Sequence, residues 1–110
     1  MKPAKLLVPQ NISELIELIR AMLLSAPKFL DKTGYFPYQN LDHVFRELHE
    51  GLNHNRKKLG EECYHELMQM SDRMRALFEA DPEDKTGETA EGCKIIYEME
   101  DILRQTPRKS

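Results

Sequence analysis

Four side chains in one stretch, His43, Glu47, Glu50 and His54, have the residue types of a metal-binding ridge. Their steps of 4, 3 and 4 residues keep them on one side of a helix. Di-iron bundles use His and Glu at such steps and complete the site with matching ligands from facing helices. Here the last helical segment offers Glu98, Glu100 and Asp101 without a histidine, and the first offers Glu14 and Glu17. The ridge therefore reads as a solvated polar face beside an apolar stripe, with a metal-carboxylate bundle as a lesser alternative. No metal or cofactor is expected.

Other chemistry-bearing residues fall short of a site for stated reasons. Cys63 and His65 are two apart, which on a helix points them about 200° away from each other, and no second Cys or His pair completes a zinc set. A calcium loop starting at Asp81 needs Gly at its sixth position and Glu at its twelfth. Those positions hold Thr86 and Gly92. Ser13, Ser25 and Ser71 lack the context of an activated nucleophile, and no Gly-rich phosphate loop is present. His49 and His54 stand one residue too far apart for the His-Glu-x-x-His zinc spacing. No enzyme is expected. Cys63 and Cys93 each lie on an apolar stripe, where a reduced, buried thiol acting as a small hydrophobe is the reading.

The elements that position these residues are helical. The period of apolar residues predicts a first helix from about Ile12 to Leu24, capped by Asn11 with Glu14 as a capping-box partner. A connector from Asp31 to Gln39 holds Tyr35, Phe36 and Tyr38, which either pack on the bundle or form an exposed patch. A second helix runs from an Asn40 cap to about Leu59. Gly51 within it suggests close approach of another helix, and Gly60 ends it. A third covers Glu61 to about Ala80, stopped by Asp81-Pro82. A fourth, capped by Thr86 or Thr89, reaches about Arg104. The expectation is an all-α fold, a small antiparallel bundle of about four helices. It forms a single domain over residues 1–110, with an ordered core from about 11 to 104 and a basic tail over 105–110.

With 110 residues, 40% apolar and 32% charged, the chain can bury one modest core. The longest weakly charged run, Leu15 to Leu24, still holds Glu17 and Arg20. It is too short to span a bilayer. Met1 to Lys5 is basic, but Pro9 cuts off any leader-like apolar run, so a cytoplasmic protein is expected. The net charge of −3 conceals an asymmetry: residues 61–103 carry thirteen Asp/Glu against four Lys/Arg, whereas the first sixty residues are net positive. A field of one sign speeds association with an oppositely charged partner and repels nucleic acid.

The run "ELHEGLNHNRKKLGEECYHELMQM" and the segment "FEADPEDKTGETAEGCKIIYEMEDIL" resemble the small all-helical immunity proteins of bacterial contact-dependent and type VI toxin systems. The resemblance loosely covers residues 41–103 and includes no diagnostic motif. It implies a non-catalytic inhibitor that binds a cognate basic toxin, with a nuclease as one candidate. No nucleic acid or membrane partner is expected. The partner-binding residues expected from the charge pattern are Glu79, Asp81, Glu83, Asp84, Glu88 and Glu91, flanked by Glu98 and Asp101, with the loop charges Asp81, Glu83, Asp84 and Glu88 expected to be solvent-exposed. The alternative is a helical adaptor that recruits a partner through Tyr35, Phe36 and Tyr38.

Overall fold

The computed structural model describes residues 8–26 and 40–106, apart from the side chain of Ser25. The aromatic connector with Tyr35, Phe36 and Tyr38, and the tail beyond Thr106, lie outside the described residues. The elements are α1 (Ile12–Ser25), α2 (Leu41–His54), the single turn α3 (Arg56–Leu59), α4 (Glu61–Ala80) and α5 (Glu88–Gln105). The fold is all-α, as the apolar periodicity requires.

Local chemistry sets most of these boundaries. Asn11 Oδ1 accepts the Glu14 amide at 2.9 Å, and Glu14 reaches back to the amide of Gln10 at 2.7 Å. The capping box is thus present, with its return bond shifted one residue outward. Asn40 caps α2 through the His43 amide at 2.9 Å. The helix expected to continue to Leu59 instead breaks at Asn55. That residue is 1% exposed, and its side-chain amide donates to the carbonyls of Gly51 (2.8 Å) and Pro9 (3.2 Å). One side chain thereby fixes both the end of α2 and the chain leading into α1.

Gly51 does mark a close approach, but its neighbours are the Pro9 ring and Leu15. A Cβ there would lie 2.8 Å from Pro9 Cδ and 3.0 Å from Leu15 Cδ2. Gly92 has the same role on α5, where a Cβ would lie 2.6 Å from the Phe78 ring. Gly60, at φ +86°, turns the chain from α3 into α4.

The helices form a ring in which α1 packs on α2 and α5, and α4 packs on α2 and α5. The start of α1 meets the end of α2 at Gly51. Asp42 pairs with Arg75, and His49 bonds Ser71, so α2 runs antiparallel to α4. The Cys63–Thr106 and Phe78–Gly92 contacts run α4 antiparallel to α5. The alternation makes α1 antiparallel to α5 and closes an up-and-down bundle. Its centre holds Leu15, Ile19, Phe45, Leu48, Leu52, Leu67, Met74, Phe78, Ile96, Met99 and Leu103, all at 0% exposure. Each such Leu or Phe contributes about 1.5–3 kcal/mol by leaving water. The Phe45 and Phe78 rings meet at 6.5 Å between centroids where α2 crosses α4.

Candidate partner-binding surface

The acidic segment between α4 and α5 is organised by one of its own carboxylates. Asp81, expected among the exposed partner-binding residues, is 2% exposed. Its Oδ1 accepts the amides of Lys85 (2.7 Å) and Thr86 (3.2 Å), and its Oδ2 accepts the amide of Thr89 (3.0 Å). The Thr89 hydroxyl returns a bond to the Asp81 carbonyl at 2.9 Å. Burial works against the charged form, yet the amides of Thr89, Lys85 and Thr86 outweigh it and hold this carboxyl well below the usual carboxylate range. The first turn of α5 is therefore capped by Asp81 from across the loop, with left-handed Gly87 at the N-cap position. Neither Thr86 nor Thr89 caps the helix, contrary to the expectation from sequence. The physical reason is that one carboxylate bridges two loop amides, Lys85 and Thr86, and the first-turn amide of Thr89 at once.

Anchoring Asp81 leaves the other acidic side chains facing outward. Glu79, Glu83, Asp84, Glu91, Glu98 and Asp101 are exposed, and Glu88 is half-buried with the Thr86 hydroxyl donating to it. Asp84 sits at φ +55°, a left-handed position that Asp and Asn tolerate better than most residues. Glu79 bonds Arg75 at 3.4 Å, and Glu100 bonds Arg104 at 2.7 Å. Glu91, Glu98 and Asp101 have no ion pair or side-chain hydrogen bond among the described residues. The two antiparallel helices and their loop thus carry exposed carboxylates in excess, with Lys85, Lys94 and Arg104 exposed among them.

The histidine-carboxylate ridge is only partly assembled. His43 and Glu47 approach to 3.5 Å and are largely buried, whereas Glu50 and His54 are exposed. The expectation of a wholly solvated ridge fails at Glu47, which is 8% exposed. It falls on the side of α2 that turns toward the core. Among the described residues, no group of three or more His, Cys, Asp or Glu side chains could hold a metal ion.

His49 Nε2 lies 2.8 Å from Ser71 Oγ and 3.9 Å from Asp72. Ser71 is fully buried, and hydroxyl and carboxylate meet the same ring nitrogen. A Ser-His-Asp relay needs them on opposite nitrogens. This contact therefore serves to join α2 to α4.

Cys63 and Cys93 are free and half-buried, less enclosed than a core thiol. Burial raises both thiols above their ordinary value, and the charge of Asp84 adds to the effect at Cys93. At the α3–α4 corner, Arg56 stacks 4.4 Å over the Tyr64 ring and pairs with Glu61 at 2.7 Å. Its hydrogen bond to Glu61 raises the guanidinium and lowers the carboxyl.

Sequence reasoning missed one surface feature. Leu24 is 91% exposed and Tyr97 59% exposed, and with Arg20, Ala21, Leu23 and Cys93 they line an open groove between α1 and α5. The available signal was Tyr97 on the polar side of α5. No helix among the described residues is long and apolar enough to cross a membrane. The chain matches no protein-family model, no curated protein and no solved structure in the comparisons made.

Proposed function

We propose that this chain is a non-catalytic inhibitor module, an immunity protein that acts in the cytoplasm and neutralises a cognate basic toxin through the acidic surface of α4, α5 and their loop. The observation that carries this reading is the concentration of charge. Residues 61–103 hold thirteen acidic side chains against four basic ones, and the described positions of most of those acids face solvent. Such a surface presents carboxylates where a nuclease or other basic protein would receive phosphate. The interface is built from Glu79, Glu83, Asp84 and Glu88, with Glu91, Glu98 and Asp101 along α5. Asp81 supports it from beneath and makes no contact with the partner.

The test is genetic and direct. The reading frame adjacent to this one is expressed alone and together with this chain, and growth is followed. Arrest by the neighbour, relieved by co-expression, is the expected result, with a stable complex recovered from the rescued cells. A harmless neighbour, or a toxic one that this chain fails to relieve, would overturn the reading.

A further inference from the structure

Leu24 and Tyr97 are the large apolar side chains that the described residues leave exposed, and both line one open groove of about 530 Å³ between α1 and α5. Scattered apolar residues are ordinary at a surface, whereas two in one groove mark a contact site. Arg20, Ala21, Leu23 and Cys93 complete its walls. Arg20 is exposed and has no ion pair or side-chain hydrogen bond among the described residues, so its guanidinium donors are open.

The groove has a direction. Because α1 runs antiparallel to α5, the C-terminal end of α1 lies where α5 begins. Leu24 and Cys93 therefore form the end nearest the loop before α5, and Arg20 and Tyr97 lie one helical turn further along. The loop reaches that near end, where Asp84 is close enough to Cys93 for its charge to act on the thiol. From one end to the other the groove thus passes from a carboxylate, over Leu24 and Tyr97, to a cation. Asp84 also belongs to the acidic surface assigned to the toxin, so groove and surface are continuous.

Carboxylates at an interface raise the rate of encounter more than they hold the partner, because each must shed water on contact. Complexes are held by a few anchors, among which Tyr and Arg are prominent, seated where water is excluded. Among the described residues this groove brings an exposed Tyr, an unpaired Arg and an exposed Leu together beside the acidic loop.

We propose that the α1–α5 groove is the anchoring site of the inhibitor complex, in which one apolar side chain of the toxin sits between Leu24 and Tyr97. A toxin Lys or Arg lies over the rim at Asp84, and a toxin carboxylate takes the open donors of Arg20. The inference rests on the inhibitor reading and adds to it the chemistry of the segment recognised: basic, apolar and acidic in that order along the groove.

The toxin encoded by the adjacent reading frame is the probe, mixed with this chain and its variants in stopped-flow and competition experiments. Leu24→Ala and Tyr97→Ala should each raise the dissociation constant about tenfold or more, through faster dissociation with little change in association. Both side chains are exposed, so the thermal melts of the two variants should match the parent. Arg20→Glu separates anchoring from steering by sign. If Arg20 only adds to the surface charge, two more negative units should speed association with a basic toxin and tighten the complex. If it holds a toxin carboxylate, the complex should dissociate about tenfold faster or more. A stable complex that all three variants form and release at the parent rates would overturn the groove and leave the inhibitor reading standing. A neighbour that is harmless, or that forms no complex with the parent chain, would overturn both.

Discussion

Asp81 shows how one side chain can carry the geometry of a whole connection. Three amides from residues four to eight positions downstream converge on its carboxylate, and the Thr89 hydroxyl donates to its backbone carbonyl, so the loop closes around a buried negative charge. Asp81→Asn is isosteric but loses the charge and turns an amide group toward donors it cannot accept from. This variant is expected to unfold at lower urea concentration than the parent at pH 7. The pH dependence has a definite sign. The folded carboxyl is held below its ordinary value of 3.8, so its stabilising contribution is full above that value and is lost as pH falls through it toward the folded one. The gap between parent and Asp81→Asn should accordingly narrow between pH 5 and about pH 3. An equal gap at both pH values in urea titrations would show that the charge is not what holds the loop.

At the scale of elements, packing of the α4–α5 hairpin is decided at Gly92. The Phe78 ring lies against it, fully buried, and has nowhere to retreat when a methyl group is added 2.6 Å away. Gly92→Ala should therefore destabilise the protein by about 1–3 kcal/mol despite the better helix propensity of Ala. A thermal melt unchanged or raised would show that the ring moves aside. The helices themselves were legible in the sequence, because Leu15, Ile19, Leu48, Leu67, Met74 and Ile96 recur with the helical period and any bundle must bury them. Asn11 and Asn40 were legible as caps for a similar reason: their partners are three residues away. Asn55 and Asp81 were not. Their functions depend on groups brought near by the fold, Pro9 from 46 residues away in one case and Thr89 from across a loop in the other. A polar residue read in isolation looks solvated, and only tertiary structure reveals which ones are enclosed. The same limit hid Leu24, which the sequence marks only as the end of the first helix and which the structure leaves 91% exposed.

Across the whole molecule, charge is separated along the chain, and the bundle turns that separation into a surface. The apolar core needs nothing from Glu79, Glu83 or Asp84, which are exposed at the α4 end of the hairpin. A variant that carries Glu79→Lys, Glu83→Lys and Asp84→Asn should fold with nearly the parent stability, since exposed ion pairs such as Glu79–Arg75 contribute only about 0–1 kcal/mol. Asn is chosen at residue 84 because it tolerates the left-handed backbone there, where Lys would add strain. Asp81 is left intact so that the loop keeps its shape. With the toxin identified by co-expression, stopped-flow mixing should show fast association at low salt that slows about tenfold or more as ionic strength rises, because mobile ions screen charges beyond about 10 Å at 0.1 M salt. The triple variant should associate slowly at every salt concentration and lose most of that dependence, while its dissociation rate changes less. A triple variant that folds normally and still associates at the parent rate with the parent salt dependence would remove this part of the acidic surface from the interface.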